Sequence, residues 1–266
     1  MIVCKSPAEL ERMRAANVLV ADVLVDLRRM VGPGVTTGEL DAFAERRVRS
    51  AGAVPAFKGY HGYPATLCTS VNEEVIHGIP GPRALRDGDV VSIDLGVVLD
   101  GFYGDAAITV PVGRIANEAA ELLRITEEAL YLGIEQARIG RRVSDIGHAV
   151  QRHVEAHGFS VVREFVGHGV GHALHEEPQV PNYGPAGRGP RLAEGMTLAI
   201  EPMVAMGRAA VKVLDDGWTA VTKDHSLAAH FEHTVGITES GPVILTTPGG
   251  NSRAEGPGGR GQSTGG

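Results

Sequence analysis

Two aspartates near one tight turn are the first residues here that could do chemistry. In the stretch Gly88–Val110, GDVVSIDLGVVLDGFYGDAAITV, runs rich in β-branched residues flank Asp100-Gly101. That dipeptide favours a two-residue hairpin turn. With Asp100 and Gly101 as the turn, Leu99 faces Phe102 and Gly96 faces Asp105. Asp94 then lies two residues from Gly96 on the same face, a diagonal cross-strand neighbour of Asp105. Carboxylates held that close repel one another and raise the pKa of at least one, a conflict that a cation between them resolves. Taken alone, the hairpin fits two solvated strand ends equally well, because acidic residues are common near turns.

The second half of the chain supplies the other donors. Phe165-Val166-Gly167-His168-Gly169-Val170-Gly171-His172 is followed by Leu174-His175-Glu176. His168 and His172 have the spacing of two helical zinc ligands, but the glycines argue for a strand or loop. On a strand, 168 and 172 share a face and His175 points the other way, so one of the three does something different. The segment His225–Thr234, HSLAAHFEHT, places Glu232 at a strand entrance ahead of Val235 and Ile237. Summed, the candidate set is Asp94, Asp105, His168, Glu201 and Glu232. Carboxylates with one imidazole can hold two divalent cations with a water or hydroxide between them. An oxygen-rich set suits Mn²⁺, Fe²⁺ or Co²⁺ as well as Zn²⁺. Such a pair acidifies the bridging water and polarises a carbonyl, the requirement for amide hydrolysis. Glu201 can take and deliver the proton, and nearby imidazoles can stabilise the oxyanion.

Elements that must position these groups are legible in the pattern. Ser6-Pro7-Ala8-Glu9 starts a helix, with Ser6 as N-cap and Glu9 closing a capping box. Leu10, Met13, Asn17, Val20, Leu24, Leu27 and Val31 form its apolar face, with Asn17 the only polar member, before Gly32-Pro33-Gly34 ends it. Thr36 and Glu39 cap a second helix that stops near Gly52. A segment dense in rings and imidazoles follows: Phe57, Tyr60, His61, Tyr63, then Cys68, Asn72 and His77. Within it, alternation from Thr66 to Val71 predicts a short strand. After the hairpin, Asn117 and Ser144 are expected to cap two more helices, ending near Ala137 and Gly158. Leu85-Arg86-Asp87-Gly88 ahead of Ile93-Asp94 is matched by Leu192-Ala193-Glu194-Gly195 ahead of Ile200-Glu201, at a constant offset of 107 residues from 85 to 192 and from 94 to 201. An internal repeat predicts two related helix-helix-sheet halves with Asp94 and Glu201 at equivalent positions.

Composition excludes several classes. The chain has 266 residues, 43% hydrophobic and 21% charged, enough for a sizeable core. A formal net charge of -7 argues against a nucleic-acid surface or an anionic membrane as main partner. Two cysteines, Cys4 and Cys68, are too few for a disulfide framework and fit a reducing compartment. With no signal peptide and no long apolar run, a cytoplasmic protein without a membrane segment is expected. The absence of coiled-coil heptads points to a monomer.

The joint pattern resembles the type I methionine aminopeptidases over about residues 5 to 245: GYHGYP, SVNEEVIHGIP, IDLGVVLDGFYGDAAIT, GHGVGHALHEEP, IEPM and GWTAVTKDHSLAAHFEHT. The resemblance implies an α+β "pita-bread" fold, with two pseudo-symmetric helix-helix-sheet halves around a central antiparallel sheet. It implies two divalent metal ions (Co, Mn, Fe, Zn or Ni) on Asp94, Asp105, His168, Glu201 and Glu232. It also implies removal of the initiator methionine from nascent chains near the ribosome when the second residue is small. Glu201 would be the base, and His77 and His175 would contact the scissile peptide. By the same matching, Tyr60, Tyr63, Cys68, Leu174 and Trp218 form the methionine pocket with Phe57 near its rim. A thioether packs well against aromatic edges and a soft thiol. Phe57 stands where relatives have a smaller residue, which would narrow the pocket or its entrance, and His172 falls at a variable position. The zinc-finger or proline-rich extension of longer type I forms is not expected. Residues 1–248 are expected to be one catalytic domain (halves about 1–112 and 113–248), and Gly249–Gly266, with eight glycines in eighteen residues, a disordered tail. The alternatives are an Xaa-Pro-type pita-bread hydrolase and a non-catalytic pita-bread peptide-binding protein, which would lack ligands.

Overall fold

Reciprocal capping sets where the first two helices begin. In the computed structural model, which describes residues 1–250, the Glu9 N–H donates to Ser6 Oγ and the Ser6 N–H donates to the Glu9 carboxylate. Helix α1 then runs Pro7–Met30. Thr36 and Glu39 exchange the same pair of bonds, and α2 spans Thr37–Ser50. Asn17 is fully buried and donates from Nδ2 to the Met13 carbonyl at 2.8 Å, which satisfies one donor within the helix, while its Oδ1 has no partner among the described residues.

Helices α3 (Asn117–Gln136) and α4 (Val143–Ala156) occur where the periodicity places them, but their caps differ from expectation. Ala116 occupies the α3 N-cap position without a side-chain bond, and Asn117 is already helical. Arg142 precedes α4, its N–H donating to the Asp145 carboxylate at 2.8 Å. Ser144 lies inside the helix and accepts from the Arg188 N–H at 2.7 Å. A tertiary contact with the 187–189 loop thus takes the hydroxyl that local sequence offered as a cap.

Main-chain hydrogen bonds reproduce the internal repeat. Gly34 N–H donates to the Leu85 carbonyl at 2.8 Å, and Leu85 N–H returns a bond to Val35 at 2.8 Å. In the second half Gly140 N–H donates to Leu192 at 3.2 Å, and Leu192 N–H to Arg141 at 2.8 Å. Each helix pair covers its own sheet. Val20, Leu24 and Leu27 of α1 and Leu40 of α2 pack on Leu67, Ile93 and Leu95. Leu122 and Ile134 of α3 and Ile146 and Val150 of α4 pack on Leu198 and Ile200. Each such side chain, fully buried, contributes ~1.5–3 kcal/mol. Gly104 lets α1 lie directly on the hairpin, since a Cβ there would be 2.8 Å from the Ala16 backbone.

All strand pairings are antiparallel. Val90–Leu99 pairs with Phe102–Pro111 on one edge, and with Leu67–Val71 and Val54–Pro55 on the other. Leu67–Val71 is buried at every position rather than alternating, because α2 covers one face and the site cavity lies against the other. In the second half, Gly241–Ile244, His233–Thr238, Thr197–Ile200, Gly167–Gly169 and Glu176–Val180 form one sheet in that order. The two sheets are tied at the centre: Glu232 N–H donates to the Ala107 carbonyl at 2.9 Å and Thr234 Oγ1 to the Asp105 carbonyl at 2.8 Å. No described helix is long and apolar enough to cross a membrane. From residue 251 onward, the stretch expected to be a disordered tail lies outside the described residues.

Candidate active site

The hairpin register follows from its turn. Asp100 and Gly101 both adopt left-handed backbone angles, φ 50° and 78°, which matches the right-handed twist of the flanking strands. Gly96 therefore pairs with Asp105 and Asp94 with Ala107, bringing the two aspartates to one face. Glu201 follows strand Thr197–Ile200, and Glu232 sits in the link between Ala228–His230 and His233–Thr238. His168 stands on Gly167–Gly169, where any side chain at Gly167 would meet the Ala199 carbonyl. These five side chains, which the sequence separates by up to 138 positions between 94 and 232, converge and are at most 8% exposed.

Their electrostatics require a partner. Burial drives the carboxyls of Asp105, Glu201 and Glu232 well above the ordinary range, mutual repulsion adding to the effect at Asp105 and Glu232. Burial, with Glu201 nearby, pushes Asp94 up to about 7. Asp94 Oδ1, Asp105 Oδ1 and Glu232 Oε1 are buried without a hydrogen-bond partner. Unpaired buried carboxylates are costly, and divalent cations remove that cost. His168 Nδ1–H donates to the Gly169 carbonyl at 2.9 Å, leaving the Nε2 lone pair directed inward, 3.5 Å from Glu201 and 3.9 Å from Asp105. Burial holds this imidazole neutral, its pKa lowered to about 4, the form that ligates. Donor atoms of Asp105, His168 and Glu232 all lie within 4.8 Å of one another. The residues fit a cation centre.

A second group within that distance contains a residue the sequence reading passed over, His230, with Glu201 and Glu232. Its only sequence signal was a position two residues before Glu232, the same-face spacing of extended chain.

The centre forms one wall of a cavity of about 180 Å³. The opposite wall is apolar: Phe57, Tyr63, Cys68 and Leu174 pack together with Tyr60 and Trp218 against them. Burial raises the Cys68 thiol well above its ordinary value, so it serves as a soft neutral surface rather than a nucleophile. Phe57 lines the cavity and packs on Gly96, where a Cβ would come within 2.5 Å of its ring. His77, in a left-handed conformation at φ 62°, stands edge-on to Phe165 and Trp218. Strain of that kind concentrates at functional positions. Ile76, Phe165 and Val166 complete the lining and were not singled out from sequence.

The histidine segment is a strand only over Gly167–Gly169. The strand ends at Gly169 and the chain then bends, so alternation does not extend to 172. His172 is exposed beside Phe102, its Nε2 3.6 Å from Glu9 and outside the cavity. His175 turns back onto His168, ring centres 4.3 Å apart.

Comparisons with known proteins agree with this geometry. Residues 11–239 match Metallopeptidase family M24, and the chain belongs to that family. Within it, the chain is 55% identical to methionine aminopeptidase 1 of Bacillus subtilis (strain 168), over 92% of this chain and 99% of that one. Its structure is similar to the crystal structure of methionine aminopeptidase from Thermotoga maritima, with a TM-score of 0.91 and 48% identity over 93% of this chain and 100% of that one. It is equally similar, at a TM-score of 0.91 and 42% identity over 92% of this chain and 100% of that one, to the enzyme from Rickettsia prowazekii. The fold is that of the pita-bread proteins.

Proposed function

We propose that the chain is a methionine aminopeptidase that hydrolyses the first peptide bond of chains beginning with methionine and a small second residue. One observation carries the reading: a buried carboxylate and imidazole centre shares a single cavity with an apolar wall of aromatic rings and a thiol. That wall fits an unbranched thioether.

Asp94, Asp105, His168, Glu201 and Glu232 would hold two divalent ions. When bound, these supply an activated water and a Lewis acid for the carbonyl. The remaining steps belong to the protein. The methionine side chain enters between Tyr63, Cys68, Leu174 and Trp218, placing the scissile carbonyl over the carboxylates. Glu201 takes the proton of the attacking water and returns it to the leaving amine. His175, its imidazole pKa lowered chiefly by burial so that it stays neutral, donates to the developing oxyanion. His77, lowered to about 4 mainly by burial, stays neutral and fixes the peptide from the opposite side.

Residues 1–248 act as one catalytic domain in this reading, working as a monomer in the cytoplasm on nascent chains near the ribosome. The Xaa-Pro and non-catalytic alternatives have less support, since the full-length relatives above are methionine aminopeptidases and every expected donor is present. The test is chelated and metal-reloaded protein incubated with Met-Ala-Ser, Met-Lys-Ser and Ala-Pro-Ala. Methionine release from the first peptide only, restored by metal, is expected. Cleavage of the proline peptide alone, or silence throughout, overturns the reading.

A further inference from the structure

His230 is the one buried, unpartnered nitrogen base at the centre that the five-residue donor set leaves unexplained. It is 1% exposed, and its Nε2 makes no hydrogen bond among the described residues. Its backbone is held from both directions by the hairpin: the His230 N–H donates to Thr109 Oγ1 at 2.9 Å, and Thr109 Oγ1 donates to the His230 carbonyl at 2.7 Å. Ser92 Oγ lies 2.9 Å from the same hydroxyl, so Thr109 is fully engaged. The hairpin carrying Asp94 and Asp105 on its two strands therefore anchors the backbone from which this imidazole projects.

The side chain lies against the carboxylates. Nε2 is 3.4 Å from Glu201 Oε2, while His168 Nε2 is 3.5 Å from Glu201 Oε1. One carboxylate is thus flanked by two imidazoles, one at each oxygen. Neither contact is a hydrogen bond. Two donors sharing one ion at about 2.1 Å, at angles between tetrahedral and octahedral, stand roughly 3.0–3.4 Å apart. The His230 separation has that value. Burial also keeps His230 neutral, with its lone pair available.

We propose that His230 is a sixth protein ligand of the metal centre, its Nε2 binding the ion on the Glu201–Glu232 side. This rests on the metal centre proposed above. A second imidazole enriches the set in nitrogen and shifts its preference toward Fe²⁺, Co²⁺, Ni²⁺ and Zn²⁺ relative to Mn²⁺.

The test is nuclear magnetic resonance of full-length protein labelled with nitrogen-15 histidine and loaded with two equivalents of cadmium-113. A ligating ring nitrogen is split by one-bond coupling to the metal; a merely neighbouring one is not. Two split imidazole resonances are expected, with His230→Gln removing one and leaving that of His168. His230→Asn serves as a second variant should the first fold poorly, and the number of split resonances in the unmutated protein needs neither. A single split resonance, or splitting unchanged in the variants, overturns the assignment while leaving the metal centre standing. No splitting at all overturns the centre itself.

Discussion

The Tyr60 hydroxyl lies 2.8 Å from His175 Nδ1, across 115 residues of sequence. With the hydroxyl donating, Nδ1 is the acceptor and Nε2 keeps the hydrogen that the proposed mechanism offers to the oxyanion. Tyr60→Phe removes the tautomer lock while keeping the ring. A net hydrogen bond of about 0.5–1.5 kcal/mol translates to a kcat roughly 2- to 13-fold lower. KM should change little, because the contact strengthens as charge develops. His175→Ala should lower kcat further. Steady-state kinetics on Met-Ala-Ser separates the two parameters; an effect confined to KM would contradict the role.

Glu201→Gln is close to isosteric and should leave the fold and thermal midpoint nearly intact. Turnover should fall by about 10²-fold or more through loss of the base. Circular dichroism with single-turnover kinetics checks both halves, and unmutated turnover would remove Glu201 from the role.

Gly96→Ala should reposition Phe57, since the new methyl would lie 2.5 Å from the ring. Overpacking of this kind costs about 1–3 kcal/mol. Methionine peptides should bind more weakly as Phe57 is driven into the cavity. Phe57→Leu should recover part of the loss, giving a favourable coupling in a double-mutant cycle of urea midpoints and KM. Additive effects would show that the two side chains do not contend for one space.

Proton linkage gives a signed expectation. In metal-free protein Asp94 titrates near 7, above the ordinary carboxyl value, because of burial. The folded state then binds a proton that the unfolded chain has lost, between roughly pH 4 and 7, so this contribution to stability is present at low pH and lost as pH rises through 7. Metal loading should release protons at pH 6–7, read as buffer-dependent heats in titration calorimetry. Asp94→Asn should reduce both the released protons and the pH slope of the urea midpoint in chelated protein. An unchanged slope would contradict the assignment.

Local sequence determined a good deal. Capping boxes at Ser6 and Thr36 set helix starts, because their bonds close within one turn. Asp100-Gly101 determined the hairpin register and hence the meeting of Asp94 and Asp105, since side-chain alternation leaves no freedom once the turn is placed. The 107-residue repeat predicts equivalent places for Asp94 and Glu201; Asp94 lies within strand Val90–Leu99, and Glu201 directly follows strand Thr197–Ile200. Only tertiary structure decided the rest. Ser144 lost its capping role to a loop 44 residues away. The chain bends after Gly169, so His172 lies outside the cavity and His175 turns onto His168, a placement that strand alternation alone could not give. His230 reached Glu201 through its backbone bonds to Thr109, 121 positions distant. Contacts of that range depend on how the two sheets dock, and periodicity within a segment carries no information about docking.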